Sequence, residues 1–126
     1  MDLTPLVPPG KHVVQRYGNG RFVIAGEAYQ GPILLSPYQV FPWSIKDLAD
    51  MTVESLNAIL GPQEGAPLEL ILLGCGSGFI IPPLDVRRAL AARHIALEPM
   101  DTGAACRTFN VLASEDRRVA AALISI

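Results

Sequence analysis

From Val13 onward the chain alternates short apolar runs with breaks made of glycine and proline. Val13, Val14 and Tyr17 precede Gly18-Asn19-Gly20, and Phe22, Val23 and Ile24 follow it. Asn-Gly supplies the positive φ angles of a tight turn, so this stretch predicts a β-hairpin. After Gly26, Ala28 to Ser36 reads as a further strand, interrupted by Gly31-Pro32 and stopped at Pro37, because proline removes a ladder donor and fixes φ. Tyr38 to Trp43 adds a short extended piece. Residues 1–11 hold Pro5, Pro8, Pro9 and Gly10 with almost no apolar periodicity, which predicts an extended arm ahead of one α/β domain over 12–126.

The second half changes period. Thr52 is placed to cap a short helix from Val53 to Leu60 that buries Val53, Leu56, Ile59 and Leu60 and stops at Gly61-Pro62. Leu68 to Leu73, apolar except for Glu69, has the pattern of a strand covered on both faces, and its expected place is the centre of the sheet. Pro83 to Arg93 predicts a helix whose basic residues Arg87, Arg88 and Arg93 suit the negative end of its dipole. His94 to Met100 predicts a strand, and Ala104 to Leu112 a helix with Asp101 or Thr102 as cap. Arg118 to Ile126 is apolar, and its alanines fit a strand or a helix equally. A β-rich first third followed by alternating helices and strands signals an α/β sheet with helices on its faces.

Composition narrows the function classes. With 126 residues, half of them hydrophobic and 17% charged, the chain is long enough for a real core and too apolar to be disordered. Ten basic against twelve acidic residues, with no run of like charge, lack the footprint of a nucleic-acid binder. The longest apolar run falls far short of the roughly 20 residues that span a bilayer, so no membrane span is expected, which leaves room for peripheral association. Met1-Asp2-Leu3-Thr4-Pro5 begins neither a signal peptide nor an amphipathic presequence, and a cytoplasmic location follows as the expectation. In such a compartment Cys75 and Cys106 are expected as free thiols.

Four stretches could carry chemistry. Gly74-Cys75-Gly76-Ser77-Gly78 follows a buried strand and precedes a helix, where backbone amides can cradle an anion. It departs from the dinucleotide and P-loop fingerprints, and glycines needed for close backbone approach explain it equally well. Asp101-Thr102-Gly103 matches the aspartic-protease triplet, but a helix follows at once and an aspartate caps helices well, so the protease reading is rejected. Cys106 beside Arg107 could be a reactive thiolate, yet neither His12 nor His94 is placed by sequence to serve as its base, and a buried inert cysteine is the simpler reading. Ser114 to Arg118 is a charged turn, from which Arg117 could pair with a carboxylate elsewhere, as could Arg107. No spacing of Cys, His, Asp and Glu suggests a metal site, and no cofactor is expected. The candidate pocket is thus Gly74, Gly76 and Gly78 with Cys106, Arg107, Thr108 and Asn110; the candidate partner surface is Tyr38, Phe41 and Trp43, since aromatics dominate binding hot spots.

Leu72-Leu73-Gly74-Cys75-Gly76, Pro82-Pro83, the block from Met100 to Leu112 and the stretch from Glu115 to Ile124 together resemble a family of small domains of unknown biochemical activity. That family includes mitochondrial NADH:ubiquinone oxidoreductase (complex I) assembly factor 3 and many bacterial single-domain relatives, and the resemblance spans roughly residues 12–125. It implies a three-layer α/β fold: a mixed central sheet whose last strand is antiparallel to the others, helices on its faces, and an N-terminal β-hairpin layer. The C-terminal element then becomes a strand. The resemblance also implies a non-catalytic protein-binding module, bacterial in origin, whose partners are respiratory-complex subunits or membrane-assembly factors. The alternative is a small-molecule or anion-binding enzyme with its pocket between Gly74 to Gly78 and Cys106 to Asn110.

Overall fold

A computed structural model describes residues 12–60 and 67–126, so the expected arm over 1–11 and the helix stop at Gly61-Pro62 lie outside the described residues. Strands β1 (Val14–Gly18), β2 (Arg21–Ile24) and β3 (Glu27–Gln30) form an antiparallel sheet in that order. Its two turns place Asn19-Gly20 at φ 55° and 74°, and Ala25-Gly26 at 51° and 81°. Both central residues are left-handed in each, which is the turn whose twist matches that of the flanking strands. The expected hairpin is therefore present, and a second one extends it.

Gly31, at φ 76°, turns the chain out of this sheet. What reads in sequence as one interrupted strand is two strands in different sheets, since β4 (Ile33–Leu35) and β5 (Val40–Pro42) join a second, five-stranded sheet. Two 3-10 turns follow, over Leu48–Asp50 and Glu54–Leu56, and the latter runs into the short helix α1 (Asn57–Leu60). Thr52 caps as expected, its Oγ1 accepting from the Ser55 amide at 3.1 Å. The remaining elements are β6 (Leu70–Gly74), α2 (Leu84–Ala92), β7 (Ala96–Met100), α3 (Thr102–Ser114) and β8 (Val119–Leu123).

The strand order is β5-β4-β8-β6-β7. This corrects two expectations. The centre is held by β8 and not by β6, and β8 runs parallel to β6 rather than against the rest. The physical reason is the connections. Helical crossovers return the chain to the same end before β7 and again before β8, which makes β6, β7 and β8 parallel. The tight turn between β4 and β5 forces antiparallel pairing, so β4, antiparallel also to β8, is the strand that opposes the other four. As the central strand, β8 buries all five of its residues, Val119 to Leu123, and its alanines leave room for layers on both faces. Pro99 is tolerated in β7 because β7 is an edge strand.

From β6 the chain steps outward to β7 through α2, then back past β6 to β8 through α3. Right-handed crossovers in opposite directions put the two helices on opposite faces. One core accordingly joins Val86 and Leu90 of α2 with Leu56, Ile59, Ile71, Leu73, Ala120 and Ala122. The other joins Ala105, Cys106 and Phe109 of α3 with Leu72, Ala121, Leu123 and, from the small sheet, Val14, Phe22 and Ile24. Strand residues alternate between the two cores as the two-residue period requires. Three layers result, with the hairpin sheet sharing the α3 side. Phe22 and Phe109, both fully buried, each contribute roughly 1.5–3 kcal/mol.

Asn110 fastens the hairpin sheet to α3. Its Oδ1 accepts from the Val14 amide and its Nδ2 donates to the Val14 carbonyl, both at 2.9 Å and both buried. The side chain replaces a neighbouring strand beside a bulge in β1, where the pairing register shifts between Val14 and Arg16. Asn110→Ala is expected to lower stability by about 3 kcal/mol, since both backbone groups of Val14 lose their partner inside the core. Urea unfolding measures this, and an unchanged midpoint would show that the clamp is replaceable.

Candidate functional site

The outgoing connections of neighbouring β6 and β7 leave to opposite faces. In open α/β sheets that reversal opens a crevice at the carboxyl ends of the strands, the usual place for a ligand. Gly74 to Gly78 and the start of α3 both lie there. Asp101 caps α3, its Oδ1 accepting from the Ala104 amide at 2.8 Å, as the sequence suggests and as a protease carboxylate would not.

The crevice is occupied by the protein itself. The buried hydroxyl of Thr102 accepts from the Gly76 amide at 2.9 Å and donates to the Ile124 carbonyl at 2.7 Å, while the Thr102 amide donates to the Gly76 carbonyl at 2.9 Å. The Cys75 amide donates to the Met100 carbonyl at 2.8 Å. Two amides that could have cradled an anion are thus engaged. At Gly74 a Cβ would stand 2.9 Å from Leu123 Cδ2 and 3.1 Å from Thr102 Cα. Gly74 is therefore a close-approach glycine. Gly76 takes φ 88°, whereas a Cβ on Gly78 would meet open space.

The α3 members of the expected pocket do not converge on one cavity. Cys106 faces the core, with its thiol pushed up to about 12 by burial; the Arg107 cation pulls it down and Asp101 pushes it up by smaller amounts. Arg107 is exposed and its Nη1 donates to the Tyr17 hydroxyl at 3.1 Å, an oxygen that sits where a Cβ on Gly103 would be, 2.6 Å away. Thr108 is half-buried, and Asn110 is engaged with Val14. His94, at φ 60°, closes α2 at the far end of β7 from Cys106. Arg117 pairs with Glu69 at 3.6 Å, beside a short Arg118–Glu69 contact; both pairs are solvent-exposed, so they add little to stability.

The candidate partner surface divides. Tyr38 is 63% exposed on the β4–β5 turn, and Phe41 is half-buried. Trp43, expected beside them, is 3% exposed and belongs to the core instead. Its indole packs with Leu34, Ile45, Leu48 and Leu56, and its Nε1 donates to Ser55 Oγ at 3.3 Å. The chain beyond β5 folds back over the sheet, and the largest apolar side chain fills the space beneath it.

Sequence reasoning missed Phe79, Ile80 and Ile81, exposed between β6 and α2, and Leu84, exposed at the first position of α2. The signal was available. Three apolar residues caught between a glycine-rich turn and Pro82-Pro83 can neither extend the strand nor enter the helix. Among the described residues, no group of three or more His, Cys, Asp and Glu is placed to hold a metal, and no helix is long and apolar enough to cross a membrane.

These features define a three-layer α/β domain with two sheets, whose switch-point crevice is filled by its own side chains. The chain belongs to the family described as protein of unknown function (DUF498/DUF598), whose model matches residues 14–124. It is 38% identical over 114 residues to NADH dehydrogenase [ubiquinone] 1 alpha subcomplex assembly factor 3 of Danio rerio, covering 89% of this chain and 63% of that protein. The chain thus spans about three fifths of the assembly-factor relatives it matches. An uncharacterized protein of Rhodobacter capsulatus is 37% identical, with 88% of this chain and 82% of that one covered. A crystal structure of a Bordetella parapertussis protein superposes with a TM-score of 0.83 at 30% identity, covering 94% of this chain and all of that one.

Two measurements test this site. Gly74→Ala is expected to cost about 1–3 kcal/mol, because backbone of Thr102 and the Leu123 side chain stand where the methyl must go; thermal unfolding checks it, and a neutral result would mean the strand ends have slack. Cys106 has a higher pKa folded, about 12, than its ordinary value of 9.0, so burial of the neutral thiol stabilises the fold below pH 9 and that contribution is lost as pH rises toward 12. Iodoacetamide at pH 8 is expected to label Cys106 only after denaturation, and rapid labelling of the native protein would refute the burial.

Proposed function

We propose that this chain is a non-catalytic protein-binding module that assists the assembly of a respiratory complex, acting in the cytoplasm of a bacterial host. The observation that carries the reading is the match, over nearly the whole domain, to relatives named as complex I assembly factors. Two features of the site support it. The default ligand crevice is filled by Thr102 and Leu123, and Cys106, the nucleophile an enzyme reading would need, faces the core with its thiol held protonated. A domain of this kind acts through its surface. Tyr38, with Phe41 beside it, is offered as the contact for respiratory-complex subunits or membrane-assembly factors.

Affinity capture of the tagged protein from its native cells, followed by mass spectrometry, tests the role. Respiratory-complex subunits or insertion components are expected with the wild type, and recovery is expected to fall at least about fivefold with the Tyr38→Ala, Phe41→Ala double variant. Recovery of the protein alone, carrying a bound metabolite, would overturn the reading in favour of a small-molecule enzyme.

A further inference from the structure

The connection from β6 to α2 carries the most concentrated exposed apolar surface among the described residues. Phe79 and Ile81 are 65% and 68% exposed, and Ile80 and Leu84 are each close to half exposed. The backbone beneath them is held. Pro82 is buried, and the Cys75 thiol has the Ile80 carbonyl within reach at 3.6 Å as well as the Leu73 carbonyl at 3.7 Å. The side chains therefore project from an anchored support, in a place where a monomeric protein ordinarily keeps polar groups.

Charge decides what could cover them. Leu84 is the first residue of α2, and Arg87 and Arg88 lie three and four positions on, so all three share the exposed side of the first turn. Val86 and Leu90 are the residues of α2 that enter the core. Asp85 is the single acid in the helix. The result is a projecting tip of aliphatic and aromatic groups with two long cationic side chains along its rim. It matches the chemistry of an anionic interface: apolar groups enter the acyl boundary while arginine stems lie along it and their guanidinium groups reach headgroup phosphates.

We infer that Phe79, Ile80, Ile81 and Leu84, rimmed by Arg87 and Arg88, dock the protein on the surface of an anionic lipid bilayer. The contact is peripheral and reversible, as expected of a few side chains and two charges. It requires no protein partner, so it can fail while the assembly role stands, and the reverse.

Co-sedimentation of the full chain with vesicles tests it, using phosphatidylcholine alone and an equal mixture with phosphatidylglycerol. Binding to the mixed vesicles is expected, weakening as salt is raised. Ile81→Ser is expected to weaken it about tenfold, and the Arg87→Ala, Arg88→Ala pair about twentyfold. Tyr38→Ala, at the other end of the sheet, is expected to leave it unchanged. Emission from Trp43, the one tryptophan and a buried one, reports that each variant is folded. The inference is overturned if neither vesicle binds, if both bind equally, or if binding ignores the Ile81 and arginine changes. It is also overturned if Ile81→Ser abolishes self-association in a protein that binds no vesicle, since a second copy would then cover the tip.

Discussion

The hydroxyl of Thr102 is where the carboxyl ends of three parallel strands are joined. Thr102 starts the helix that leaves β7, accepts a hydrogen bond from the turn that leaves β6, and donates one to the residue that follows β8. Each such bond is worth only about 1 kcal/mol net, but a buried polar group left without its partner costs up to about 3 kcal/mol, so the three ends are held by what their separation would cost. Gly74 makes the arrangement sterically feasible, because any Cβ there would stand against Thr102 and Leu123. The crevice that doubly wound sheets usually leave for a ligand has become a structural joint.

That joint shapes what the rest of the molecule can do. With Asp101 capping α3, Asn110 clamped to β1 and Cys106 packed against Ala121 and Leu123, the inward-facing polar and nucleophilic groups of α3 are committed to holding layers together. Arg107 reaches outward, and it meets the Tyr17 hydroxyl. The interior of α3 is thereby given over to joining layers, which is what supports the proposed reading of a module that acts through its surface.

Legibility in the sequence followed locality. The first hairpin was readable because Asn19-Gly20 sets its turn by two residues' backbone preferences alone, and the start of α3 because Asp101 caps it by contact three residues on. Elements decided by distant contacts were not readable from the local pattern, and the C-terminal element became a strand only through the family resemblance. The alanines of β8 are poor strand formers, and they form a strand because both sheet neighbours and both covering layers surround them. Nothing local says that Gly31-Pro32 moves the chain between sheets, or that the segment after β5 folds back over Trp43. The glycine-rich turn is visible in the sequence, but the close approach at Gly74 depends on Thr102 and Leu123, remote in sequence, and no local signal separates close packing from an anion cradle. The exposed tip was locally readable and overlooked, since apolar residues next to a buried strand pass easily for core.

The two proposed contacts sit at opposite ends of the sheet. Leu35 pairs with Ala121 and Ile33 with Leu123, so β4 ends, and the turn bearing Tyr38 begins, at the amino end of the parallel strands. Phe79 to Leu84 follow β6 at the carboxyl end. Five-residue strands separate these ends by roughly 17 Å, and the residues of β6 and β8 between them are almost all buried. A bilayer touching one end therefore leaves the other facing away from it and free for a protein. If the module serves a complex that is built at a membrane, this is the geometry it needs: a surface contact that restricts diffusion to two dimensions, and a second, chemically distinct contact held at a fixed height above it. The rigidity secured by Thr102, Gly74 and Asn110 then has a functional reason, because a support that flexed between its ends would not hold that height.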